Sequence, residues 1–160
     1  MRNLLIALLL FASPEYSQIT EESVEKLGNK LLLDCKEYGI ESCASRVIAL
    51  SACTYAFSVN QGTEPEKAQE ISDALFSSLV KTNKIPFDFL FNPDDSMKEN
   101  IKRESLERIS KCKSAIKKAI PIIYEAFNGK PLEKGRIEEM TNVYPFWYID
   151  DMERMKRKYF

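Results

Sequence analysis

The segment Ser42-Cys43-Ala44-Ser45-Arg46-Val47-Ile48-Ala49-Leu50-Ser51-Ala52-Cys53-Thr54-Tyr55-Ala56-Phe57-Ser58-Val59 is apolar or small at nearly every position and carries one charge, Arg46. It holds no Gly and no Pro, so nothing in it interrupts a helix. A helix that is apolar on all sides belongs at the centre of a bundle. Arg46 and Asn60 bracket a run that reads as too short for a membrane span. The expected fold is therefore all-α: a small bundle of about four to six helices packed around this segment.

The flanking sequence supplies the other helices. Upstream, Thr20 is a candidate N-cap followed by Glu21 and Glu22. Val24, Leu27, Leu31 and Cys35 then repeat at helical spacing, and Gly39 is a stop. Downstream, Thr63-Glu64-Pro65-Glu66 reads as a capping box with Pro in the first turn. The helix it opens should run to Lys81, with Ala68, Ile71, Leu75, Phe76 and Leu79 on one face. A fourth helix is expected from Ser96, after Asn92-Pro93-Asp94-Asp95, with Asp94 and Asp95 as N-terminal charge. Its stripe is Ile101, Ile109, Cys112, Ile116, Ile120 and Ile123; Pro121 should kink or split it, and Gly129 should end it.

The N-terminus reads as an export leader. Arg2 precedes the apolar run Leu4 to Ala12, which Ser13, Pro14 and Glu15 break. That run fits the apolar core of a signal peptide and is too short to span a bilayer. The expected organisation is a leader over residues 1–17, cleaved after Ser17, and one helical domain over residues 18–160. A periplasmic or secreted location follows. No Asn begins an Asn-x-Ser/Thr acceptor, which leans toward a bacterial periplasm.

Export makes disulfides of the four cysteines, Cys35, Cys43, Cys53 and Cys112. Cys43 and Cys53 lie on one helix, roughly 15 Å apart along its axis, which excludes that pair. Cys35 and Cys43 are symmetric about Gly39, so they are expected to pair, leaving Cys53 with Cys112. Chain entropy assigns about 2.6 and about 4.3 kcal/mol to the short and long loops.

Composition narrows the chemistry. The chain has no histidine, which removes Ser-His-Asp and Cys-His arrangements and every His-containing zinc site. The five glycines form neither a GxGxxG nor a P-loop. The cysteine spacings do not suit zinc, and Asp94-Asp95, Glu138-Glu139 and Asp150-Asp151 lack calcium-loop spacing. No cofactor, metal or catalytic residue is expected. The net charge of −1 gives no general attraction to nucleic acid.

Two aromatic segments remain. Ile85-Pro86-Phe87-Asp88-Phe89-Leu90-Phe91 and Val143-Tyr144-Pro145-Phe146-Trp147-Tyr148-Ile149 each carry a Pro among large rings and read as extended loops. Phe87, Phe89, Phe91, Tyr144, Phe146, Trp147 and Tyr148 are the candidate partner-binding residues, because such side chains dominate protein interfaces. The fourth helix is basic (Lys98, Lys102, Arg103, Arg108, Lys111, Lys113, Lys117, Lys118), and so is the tail from Arg154 to Lys158. A solvated face with pairs such as Glu104–Arg108 explains the helix; a membrane surface is its other candidate partner. The expected function is a non-catalytic module that contacts another protein. The alternatives are a carrier of a small apolar ligand between helices and a His-free enzyme using carboxylates or Lys.

Overall fold

A computed structural model describes residues 36, 37, 39–94 and 96–159, with backbone alone for Phe87 and for residues 153–159. The expected leader, the helix expected from Thr20, and Cys35 lie outside these residues. The described elements are α1 (Ile40–Asn60), α2 (Pro65–Thr82), the single turn α3 (Phe87–Leu90), α4 (Glu99–Ile109), α5 (Lys113–Asn128) and α6 (Ile137–Tyr159). Short 3₁₀ turns at Ser110–Cys112 and Lys134–Arg136 precede α5 and α6. The fold is the all-α bundle expected.

α1 is its axis. It packs against α2, α4 and α5, and α6 closes over α5. Val47, Ile48, Ala52, Tyr55 and Ala56 are wholly buried. The expectation that this segment is too short for a membrane does not hold, since its 21 residues suffice by length and composition. Burial identifies it instead: 83% of its most apolar stretch is covered by the rest of the protein. α1 begins at Gly39 (φ 83°), whose carbonyl accepts from the Cys43 N–H. It ends in a Schellman closure. With Gly62 left-handed (φ 88°), the Thr63 N–H donates to Ser58 and the Gly62 N–H to Val59.

That closure corrects the capping box. The N-cap of α2 is Glu64, one residue after Thr63, with no side-chain cap bond, while Pro65 takes the first helical position as read. Glu66 therefore sits one position too early to reach back. α2 ends in the same closure, with Lys84 (φ 51°) at the left-handed position usually given to Gly; the Ile85 N–H donates to Val80 and the Lys84 N–H to Lys81.

The fourth helix also differs from expectation. Asp94 does not start it; its carboxylate accepts from the Ser96 N–H and hydroxyl and closes a turn, beside an antiparallel bridge between Phe91 and Met97. The helix begins at Glu99 and breaks at the 3₁₀ turn before Lys113, whereas Pro121 stays inside α5 without splitting it. Pro121 removes one donor, but Ile116, Ala119, Ile120 and Ile123 hold both sides of it in the core. Gly129 (φ 66°) ends α5, donating to the Glu125 carbonyl.

Cys53 and Cys112 form a disulfide with Cα atoms 6.0 Å apart, joining the middle of α1 to the α4–α5 junction. Cys43 is also disulfide-bonded, and its expected partner Cys35 lies outside the described residues.

The two aromatic segments are not extended loops. Val143 to Ile149 lies within α6, with Pro145 inside the helix, and Phe87–Leu90 is a helical turn. In α6 the buried stripe Thr141, Tyr144, Tyr148 and Met152 has helical spacing, and its packing outweighs the one hydrogen bond that Pro145 removes.

Candidate functional site

The helical turn separates the candidate residues. Tyr144 and Tyr148 point inward, Phe146 is 52% exposed, and Trp147 lies between them, half-buried. Phe91 is buried, and Phe89 is partly covered, with the Lys98 ammonium 5.9 Å above its ring. Phe87 is described by its backbone alone.

The inward rings surround Tyr55 of α1, whose centroid lies 6.3 Å from Tyr144, 6.1 Å from Trp147 and 6.4 Å from Tyr148. Their hydroxyls differ. Tyr144 donates to the Ala52 carbonyl at 2.7 Å. Ser72 donates its only hydroxyl proton to the Ser51 carbonyl at 2.8 Å, so Tyr148 must donate in its short hydrogen bond to Ser72. The Tyr55 hydroxyl is buried and has no hydrogen-bond partner among the described residues. Burial pushes all three phenols up from their ordinary range. The carboxylates of Asp151 and Asp73 add to that effect at Tyr55 and Tyr148.

Outside this cluster, α5 and α6 part to form an open groove of about 310 Å³. Ile120, Ile123, Tyr124 and Phe127 line it from α5; Met140, Val143, Tyr144 and Trp147 line it from α6. Phe127 and Trp147 meet across it at 6.0 Å. Lys113 and Lys117 bind Glu138 at 2.7 and 2.8 Å. Both helices thus run in the same sense, ion-paired at their starts and ring-paired further on. Phe127 (53% exposed) and Val143 (43%) leave an apolar rim in solvent, and Phe146 is exposed on α6 outside the lining. At one end Asp151 accepts a 2.6 Å hydrogen bond from Gln69 of α2. Asp151 is the single ionisable acid or base lining the groove among the described residues, apart from the phenols.

The basic stretch is largely tied into the fold. Lys102 pairs with Asp150 at 3.7 Å, and Arg108 with Glu104 at 3.8 Å, as the spacing predicted. Arg108 also donates to Ser45 and Ser42 of α1. The two lysines at Glu138 hold its carboxyl at about 2, below the usual range, through hydrogen bonds first and their charge second. Glu139 pairs with Arg136. Glu138, Glu139, Asp150 and Asp151 thus each have a structural partner of their own. Among the described residues no group of three His, Cys, Asp or Glu side chains is placed to hold a metal ion.

Reading the sequence missed Phe127, Met140, Gln69 and Asp151. Phe127 extends the Ile120–Ile123 stripe by one turn, and Met140, Val143 and Trp147 form a second stripe on α6 beside the buried one. Nothing local marks Gln69 or Asp151, since their pairing joins α2 to α6. Fold and site together define an all-α, disulfide-bonded bundle with an open apolar groove. Compared with protein-family models, curated proteins and solved structures, the chain matches none of them.

Proposed function

We propose that the protein is an exported, non-catalytic binding module that contacts another protein through the α5–α6 groove. The observation that carries this is the solvent-exposed apolar rim, Phe127 and Val143, of a groove floored by packed rings. Soluble monomers rarely expose contiguous apolar surface, and where they do it marks a contact site. The groove is open and lined by one carboxylate, which supports binding over acid–base chemistry by a carboxylate pair. Export is supported by the apolar run Leu4 to Ala12 and by the Cys53–Cys112 disulfide, which fits an oxidising compartment.

Site-specific photo-crosslinking tests the contact. With p-benzoylphenylalanine at position 127, exposed on the groove, or at position 103, an exposed site on α4, irradiation in the native host should give a defined adduct at 127 alone. Adducts at both positions, or at neither, would remove the groove from consideration.

A second function, carriage of a small apolar ligand, is favoured by the groove volume, which lies at the lower end of small-molecule sites. Native mass spectrometry separates the two: a bound small molecule of constant mass on protein from its own host supports the carrier.

A further inference from the structure

The groove has one apolar length and one acidic end, and that asymmetry specifies its occupant. We propose that it takes a basic amphipathic helix of the partner protein, with apolar side chains against Ile123, Phe127, Val143 and Trp147 and a Lys or Arg against the Asp151 carboxylate. This rests on the groove being the contact site. The size fits: Ile120 to Asn128 and Met140 to Asp151 are roughly 12 and 17 Å of helix, which matches two to three turns of a partner. The mode fits as well. A channel between two helices accepts ridges at i, i+3 and i+4, and no sheet edge exists among the described residues for a strand to pair with. The charge fits in sign. Asp151 is half-buried, so its charge is screened less than a surface one, and Gln69 fixes the carboxylate in place. A Lys or Arg beside the apolar anchors gains an ionic partner there. A Glu in the same place meets a like charge.

Trp147 is the only Trp in the chain, so its indole N–H gives one unambiguous NMR signal. The probes are two twelve-residue peptides with the same Leu pattern, one with Lys and one with Glu at every polar position. The Lys peptide should shift the Trp147 signal and bind at least tenfold more tightly than the Glu peptide. Asp151→Asn should shrink that ratio to within twofold. Asp88→Asn, at an exposed position on α3, should leave it unchanged and so control for overall charge. Equal binding of the two peptides at Trp147 would overturn the charge assignment while keeping the groove. A ratio that survives Asp151→Asn but falls with Asp88→Asn would do the same. If neither peptide moves the Trp147 signal, the groove as contact site falls, and this proposal with it.

Discussion

α1 and α6 are the two longest described helices, 21 and 23 residues, and the protein uses them in opposite ways. α1 buries side chains nearly all round, against α2, α4, α5 and the rings of α6. α6 buries Tyr144 and Tyr148 and, one or two residues away, leaves Val143 and Phe146 in solvent. Aromatic content is therefore a poor guide to role. What matters is the angle around the helix: about 100° separates Tyr144 from Val143, and about 160° separates either tyrosine from Phe146.

The comparison breaks first at Tyr144 and Phe146. Tyr144→Ala should lose about 3–5 kcal/mol of unfolding free energy, as large-to-small core changes do. Phe146→Ala should stay within about 0.5 kcal/mol of the parent. Urea melts of the two variants measure both, and equal losses would mean that α6 has no outer face.

Next in size is the covalent tie of α1. Its two cysteines are 59 residues apart in sequence. Replacing both Cys53 and Cys112 by Ala should cost about 4 kcal/mol through loop entropy, read as a lower denaturant midpoint. A change of under about 1 kcal/mol would show that packing alone holds α1 in place.

A finer contrast lies among the phenols. Tyr148→Phe removes a donated hydrogen bond and should cost about 1 kcal/mol. Tyr55→Phe removes a hydroxyl with no partner among the described residues and should cost nothing or stabilise. Thermal denaturation of the two variants side by side decides this, and the opposite order would place an unseen partner on Tyr55.

The smallest effect is electrostatic and joins α6 to α5. Glu138 titrates at about 2 in the folded chain against 4.5 ordinarily. Its pairing with Lys113 and Lys117 therefore stabilises the fold above pH 4.5 and is lost as the pH falls from 4.5 to about 2. Glu138→Gln should lower the melting temperature slightly at pH 6, with the difference closing by pH 2. Salt should narrow it at pH 6, because the pair is exposed.

Much of the fold was legible because burial leaves a period in the sequence. The small-and-apolar run around Val47 and Tyr55 marks a central helix, and the stripe from Ile101 to Ile123 placed Cys112 on the face that meets Cys53. The site was less legible. Tyr144, Phe146 and Tyr148 alternate like a strand, and Pro145 suggests a loop, so a local pattern masked the three- and four-residue spacing that decides the helix. The Asp151 end of the groove has no local pattern at all, since its partner Gln69 lies 82 residues away.

The Cys53–Cys112 bond also divides the chain mechanically. A pull on the two ends passes across the bridge and bypasses everything between: α2, α3, α4 and their connections. Those 59 residues would span roughly 200 Å if extended, and none of that length can be drawn out while the bond holds. In an optical trap the protein should unravel only to a fixed limit, and reductant should then release a step of roughly that length from this bridge, apart from any release at the bridge of Cys43. The central part of the bundle is thus shielded from tension, whatever is pulling on the rest.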